Sequence, residues 1–240
     1  MYFNKEAIIL AGGFGTRLRD TIGDIPKPMA DINGRPFLEY LLEYLEQYLF
    51  NRVILAVGYR KEMIMSYFGD HFKGMSLSYS VEDEPLGTGG GIKKAMEQAK
   101  TPLVFVFNGD TMFRVDIRKM TDFHRARESK FTLALREVMD CTRYGSVELE
   151  WDRSIIRFRE KGDFEGFDTK GFINGGIYLI NKTWFDGLNL PDKFSFEKDF
   201  LEPTVQSSKV YGMVCRQYFI DIGIPDDYER AKFEFAEGIF

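Results

Sequence analysis

Short apolar runs alternate with helix-spaced apolar residues through the first hundred positions, and this rhythm narrows the fold more than any other feature of the sequence. Ala7 to Leu10, Val53 to Val57, Leu77 to Val81 and Leu103 to Phe107 have the length and character of strands. Between them, Pro36 to Tyr48 spaces Leu38, Leu41, Leu42 and Leu45 along one helical face, with Pro36 suited to the first turn. Lys61 to Phe68 does the same with Met63, Ile64 and Tyr67, and Gly91 to Ala99 reads as a further helix. Strand and helix in alternation predict an α/β fold: a mixed, mainly parallel sheet flanked by helices. A composition of 44% hydrophobic and 29% charged residues is enough for a substantial core and excludes a largely disordered chain.

After about residue 110 the pattern becomes strand-rich. Phe131 to Leu135, Ser146 to Leu149, Ile155 to Phe158, Phe172 to Ile180, Val210 to Cys215 and Phe219 to Ile222 read as extended. Ser195 is placed to cap a short helix through Leu201, and a helix is expected from Pro225, with Asp226 and Asp227 in its first turn. No repeat or linker divides the 240 residues, so one domain is expected over 1–240, with halves at about 1–110 and 111–240.

The mild net charge of −5 argues against a surface that coats nucleic acid. Cys141 and Cys215 form no C-x-x-C pair, and His71 and His124 have no partner pattern, so all four are read as structural or surface residues. No apolar run reaches membrane-spanning length, and the polar start at Met1 to Glu6 lacks the core of a signal peptide. A cytoplasmic protein with no membrane partner is expected; the oligomeric state is left open, homo-oligomer included.

Four constellations carry chemistry. The first is Leu10-Ala11-Gly12-Gly13-Phe14-Gly15-Thr16-Arg17-Leu18, followed by Pro26-Lys27-Pro28. Glycines at the end of a strand let backbone N–H groups face a polyphosphate. Arg17 adds a planar fork of donors, and Lys27 a compact charge between stiffening prolines. A dinucleotide fingerprint would need a third glycine where Leu18 stands, and a Walker loop would need Gly-Lys-Ser/Thr; neither is present. The second is Glu82-Asp83-Glu84-Pro85-Leu86-Gly87-Thr88-Gly89-Gly90-Gly91, where glycines would let a flat base and ribose lie against backbone. The third pairs Asn108-Gly109-Asp110 at a strand end with Asp221 in Phe219-Ile220-Asp221-Ile222-Gly223. The fourth comprises Arg143-Tyr144-Gly145, Glu160-Lys161 and Asn174-Gly175-Gly176.

Taken together these motifs resemble the sugar-1-phosphate nucleotidylyltransferase family, whose signature is Gly-Gly-x-Gly-Thr-Arg-Leu and then Pro-Lys-Pro. The resemblance runs from Ala7 to about Tyr228 and implies a Rossmann-like nucleotide half joined to a strand-rich sugar-binding half. It implies transfer of a nucleoside monophosphate from a triphosphate to a sugar 1-phosphate, with release of pyrophosphate. Arg17 and Lys27 would be the catalytic cations. Leu10, Ala11, Gly12, Gly13, Gly15, Thr16, Glu82, Pro85, Gly87, Thr88, Asn108 and Gly109 would bind the nucleotide. Gly145, Glu160, Lys161 and Asn174 would bind the sugar phosphate, and Asp110 and Asp221 would hold Mg²⁺, a hard cation that suits carboxylate and phosphate oxygens. Glu82 points to GTP, because a carboxylate accepts from guanine N1–H and N2–H as a pair, whereas glutamine better matches uracil or thymine. Within the family, the text from Pro28 and the loop from Glu82 are most similar to the D-glycero-α-D-manno-heptose 1-phosphate guanylyltransferases. Mannose 1-phosphate guanylyltransferases and the uridylyl- and thymidylyltransferases of amino sugars and hexoses share much of the same text. A regulatory homologue that binds sugar nucleotide without turnover is the non-enzymatic alternative, opposed by the intact Arg17, Lys27, Asp110 and Asp221.

Overall fold

The computed structural model describes residues 4–159, 170–207 and 210–239. The chain starts with β1 (Glu6–Leu10), a short helix α1 (Arg19–Ile22) and a 3₁₀ turn at Lys27–Met29. A small hairpin of β2 (Asp31–Ile32) and β3 (Arg35–Pro36) leads into α2 (Phe37–Gln47), and then come β4 (Arg52–Val57), α3 (Lys61–Phe68), β5 (His71–Phe72), β6 (Met75–Val81), α4 (Gly87–Met96) and β7 (Leu103–Asn108). The second half holds β8 (Thr111–Phe113), α5 (Ile117–Ala126), β9 (Phe131–Val138), β10 (Ser146–Leu149), β11 (Ile155–Arg159), β12 (Gly171–Asn181) and α6 (Lys182–Asp186). It closes with a π-helical turn at Phe196–Leu201, α7 (Glu202–Ser207), β13 (Val210–Cys215), β14 (Phe219–Asp221) and α8 (Pro225–Ala236).

The main sheet is mixed. Its centre is the parallel set β6-β4-β1-β7, which β12 extends by pairing antiparallel with β7. Beyond β12 lie β10 and β11 on one path and β9 with β13 on another. The chain builds outward from β1 through β4 to β6, then returns to place β7 on the opposite side of β1. That reversal opens a crevice beyond the carboxyl ends of β1 and β7, where ligands of open α/β sheets bind.

The near-continuous apolar text of the central strands follows from burial on both faces. Ala7 and Ile9 of β1 face one core, with Phe105 and Phe107 of β7 and the apolar side of α2. Ile8, Val104 and Val106 face the other, with Ile92 and Met96 of α4 and Phe196 and Phe200 of the π-helical turn. A two-stranded sheet, β8 with β14, lies apart from the main one. Its register pairs Asp221 with Thr111, so it carries a residue from near the end of the chain to the mouth of β7.

Two elements differ from the sequence reading. The helix expected over Gly91 to Ala99 is α4, which begins four residues earlier, so Gly87 to Gly91 form its first turns. Helix α5 was not anticipated, although Asp116 caps it by accepting from the Arg118 and Lys119 N–H groups and Ile117, Met120 and His124 line its buried side. Its charged outer face dilutes the apolar signal on which the reading relied.

Candidate active site

Four strand ends converge on the crevice. Glu82 N–H donates to Val57 O at 2.8 Å, which ties the exit of β6 to that of β4, and Gly109 N–H donates to Leu10 O at 3.0 Å, which ties the exit of β7 to that of β1. At Gly109 the backbones pass so closely that a Cβ would stand 2.4 Å from Leu10 O. Gly15, with φ +58°, folds the signature loop back over Lys27, whose Cβ lies 3.2 Å from where a side chain would begin.

A cleft of about 500 Å³ opens here. Of the residues assigned to the nucleotide, Leu10, Ala11, Gly12, Gly13, Gly15, Glu82, Pro85, Gly87, Thr88, Asn108 and Gly109 line it, together with Lys27 and Asp110. Thr16 is exposed and lines neither this cleft nor its neighbour. The neighbouring cleft, of about 380 Å³, contains Arg17, Gly145, Asn174 and Asp221. Thr88, Asn108, Asp110 and Glu197 belong to both walls, so the two spaces meet at a seam. Glu160 and Lys161 lie outside the described residues.

Glu82 is half-buried in the nucleotide cleft. Its Oε2 accepts from the Leu86 N–H at 3.2 Å. Its Oε1 sits so close to Gly91 that a Cβ there would stand 2.7 Å away, and one on Gly12 would stand 3.3 Å away. Burial pushes the carboxyl above its usual range, against the lowering effect of the Leu86 N–H and Lys94. The other glycines of α4 answer to packing: a Cβ on Gly89 would meet the Phe194 ring at 2.2 Å, and one on Gly90 would meet Asp192 O at 2.2 Å.

At the seam, Lys27 Nζ lies 2.5 Å from Asp110 Oδ2, with 13% of the lysine side chain exposed. Burial pulls the ammonium down, but Asp110 and then Asp221 outweigh it and hold its pKa above the ordinary value. Asp110 is held below the usual carboxylate range because Lys27 and Thr111 outweigh its burial. Asp221 is pushed up to about 7, first by burial and then by the charge of Asp110. The backbone fixes the pair: Ile222 N–H donates to Asp110 O at 3.0 Å, and Gly223 N–H donates to Asp221 Oδ1 at 2.7 Å. A Cβ on Gly223 would stand 2.8 Å from that oxygen, so only glycine fits beneath the carboxylate.

The donor set fits a hard divalent cation. One ammonium stands against two adjacent carboxylates, and the charge of Asp110 adds to burial in raising Asp221. Among the described residues no third His, Cys, Asp or Glu joins them, which leaves room for phosphate and water oxygens in an octahedral shell.

The second cleft is more pre-committed than the sequence suggested. Asn174 Nδ2 donates to the Tyr178 hydroxyl at 2.7 Å and its Oδ1 accepts from Gly176 N–H at 3.0 Å, so the amide also braces a bulge in β12. Arg17 is exposed on this side, its Nη2 3.6 Å from a Cβ position on Gly223, rather than within the nucleotide cleft. Arg143 and Tyr144 line the cleft beside Gly145. They were in view as neighbours of Gly145 but carried no assigned role. Phe14 stands in the signature loop but carried no assigned role, and Tyr59 and Glu197, which also line the nucleotide cleft, were missed altogether; nothing in their local text separates those two from ordinary loop and helix residues.

Fold and site together define a nucleotide-binding α/β protein with paired strand-end carboxylates at the junction of two pockets. The chain belongs to the nucleotidyl transferase family, whose model matches residues 6–238. It is 48% identical over 229 residues to a D-glycero-α-D-manno-heptose 1-phosphate guanylyltransferase of Aneurinibacillus thermoaerophilus, covering 95% of this chain and 97% of that one. It is 47% identical over 223 residues to the enzyme of the same name from Campylobacter jejuni, covering 93% and 96%. Among solved structures it is similar to HddC from Yersinia pseudotuberculosis complexed with GMP-PN, with a TM-score of 0.84, 40% identity and coverage of 96% of this chain and 99% of that one.

Proposed function

We propose that this protein converts GTP and D-glycero-α-D-manno-heptose 1-phosphate to GDP-heptose and pyrophosphate. The observation that carries the reading is the seam, where Lys27, Asp110 and Asp221 stand between a nucleotide cleft and a second, polar cleft. The names of the two relatives and the GMP-PN complex of the third support the choice of guanine and heptose. The chain is read as one domain, 1–240, with a nucleotide half to about residue 110 and a sugar-phosphate half beyond it.

In this reading an oxygen of the sugar phosphate attacks the α-phosphorus of GTP in line, the new P–O bond forms, and the bond to the β-phosphate bridging oxygen breaks. The nucleophile is already anionic near neutral pH, so no general base is needed. Catalysis reduces to alignment and charge neutralisation. Lys27 neutralises phosphate oxygens at the seam, and Arg17 takes charge on the departing pyrophosphate from the mouth. Asp110 and Asp221 would hold Mg²⁺, which when bound supplies Lewis-acid neutralisation of the triphosphate. Glu82 accepts from guanine N1–H and N2–H. Gly145, Asn174, Glu160 and Lys161 take the acceptor, the last two as the family resemblance assigns them.

The test is a matrix of GTP, UTP and dTTP against heptose, mannose and glucosamine 1-phosphates, read by pyrophosphate release. Release should require triphosphate, sugar 1-phosphate and Mg²⁺ together, with the highest kcat/KM for GTP and the heptose. Equal release without any sugar phosphate contradicts the reading.

A further inference from the structure

Glu197 lines both clefts, yet none of the roles above falls to it. It is the second residue of the π-helical turn Phe196–Leu201, a local widening of the kind that proteins often hold at functional sites. Its carboxylate is aimed rather than loose. Thr88 Oγ1 donates to Glu197 Oε2 at 2.8 Å, and Ser195 Oγ lies 3.4 Å from the same oxygen. The Thr88 hydroxyl also accepts from the Phe196 N–H at 2.9 Å, so its single proton is directed at Glu197. Both contacts fall on Oε2, and no described residue donates to Oε1. One oxygen is therefore anchored, and among the described residues the other has no donor on the wall shared by the two clefts.

The surroundings select what Oε1 can take. A carboxylate repels phosphate oxygens, and Glu197, unlike Asp110 with its Lys27, has no cation among the described residues to offset its charge. Among the described residues Glu197 does not join Asp110 and Asp221 in a cluster of three that could hold a metal, so a third ligand role is not indicated either. A neutral O–H donor is the remaining match. Both substrates of the reaction proposed above bring hydroxyls to the seam: the ribose of the nucleotide from one side and the acceptor sugar from the other.

We propose that Glu197 is a hydroxyl-binding, specificity-determining residue whose Oε1 accepts a sugar O–H at the seam. This rests on the nucleotidylyltransferase reading for the identity of the ligands. A hydrogen bond to a charged acceptor is the stronger kind, so its loss should register in affinity.

The experiment measures binding by calorimetry for wild type and Glu197→Gln, which keeps the shape and a carbonyl for Thr88 but replaces the charge. The ligands are GTP, 2′-deoxy-GTP and 3′-deoxy-GTP in one series, and mannose 1-phosphate with its monodeoxy analogues in another. The substitution should weaken the hydroxyl-bearing ligand about tenfold or more while leaving one particular deoxy analogue unchanged. An effect confined to the nucleotide series identifies a ribose hydroxyl, and one confined to the acceptor series identifies the acceptor. If Glu197→Gln binds every ligand as wild type does, or weakens all of them by one common factor, Glu197 is a strut between α4 and the π-helical turn and the proposal fails. Failure of the underlying reading shows separately, as wild-type protein that releases no pyrophosphate from GTP and any sugar 1-phosphate.

Discussion

Lys27 stands 2.5 Å from Asp110 across 83 positions of sequence, and the contact joins the signature loop to the end of β7. The pair also sets the charge at the seam, since the ammonium partly offsets two carboxylates. Lys27→Ala removes that preorganised charge and should lower kcat by about a hundredfold, the scale for losing one such contact. Lys27→Arg should not rescue it, because the lysine side chain is only 13% exposed and its ammonium already lies 2.5 Å from Asp110, which leaves little room for a planar guanidinium. Steady-state kinetics of the two variants, with circular dichroism to confirm folding, checks both expectations.

Asp110→Asn and Asp221→Asn each keep the shape of the side chain and remove charge. Activity should fall sharply in both and recover in part as Mg²⁺ is raised, so the Mg²⁺ concentration for half-maximal rate moves up about tenfold or more. Chelation should abolish wild-type turnover. Two variants with full activity at low Mg²⁺ would remove the metal assignment.

The guanine contact proposed for Glu82 depends on two glycines, Gly12 and Gly91, as much as on the carboxylate. Gly91→Ala would push a methyl to 2.7 Å from Glu82 Oε1, and the carboxylate must move. Glu82→Gln keeps it in place but turns a donor toward guanine. Each change should lower kcat/KM for GTP relative to UTP by several-fold to a hundredfold, because unpaired polar groups then face the base. Burial already holds the Glu82 carboxyl above its usual range, so discrimination for GTP should also narrow as pH falls and the acceptor is protonated. An unchanged GTP-to-UTP ratio in both variants rules Glu82 out.

His124 offers a pH test of stability away from the site. It is buried in α5, its Nδ1 lies 2.8 Å from Thr132 Oγ1, and burial, then the nearby Arg125, lowers its pKa to about 4. An unfolded histidine titrates near 6.5. Between those values the unfolded chain binds more protons than the folded one, so stability rises with pH through this window and is lost as pH falls below about 6.5. Urea unfolding should show a loss of about 2 kcal/mol from this group between pH 7 and pH 5. His124→Gln should be less stable at pH 7 and lack most of that slope; an unchanged slope assigns it to other groups.

The central strands and the signature loop were legible in the sequence because each answers to one dominant constraint. Strands buried on both faces must be apolar, and a turn against polyphosphate must be glycine-rich. Asp110 and Asp221 were recognisable only as a motif pair; the register of β8 against β14, which brings them together, depends on backbone pairing invisible to local reading. The start of α4 was placed too late because glycine has two uses. Gly89 and Gly90 make room for Phe194 and Asp192, so they permit a close packing of α4 rather than a loop. Glu197 was silent because its role depends on Thr88, 109 positions away, and an acid in a helical turn is usually solvated.

The most direct test of the central claim follows the α-phosphorus. With GTP labelled at the α-phosphate, heptose 1-phosphate and Mg²⁺, the account predicts that the label appears in a sugar nucleotide, one equivalent for each pyrophosphate released. Label recovered as free GMP, or as GDP with inorganic phosphate, would show hydrolysis at the same site and contradict nucleotidyl transfer.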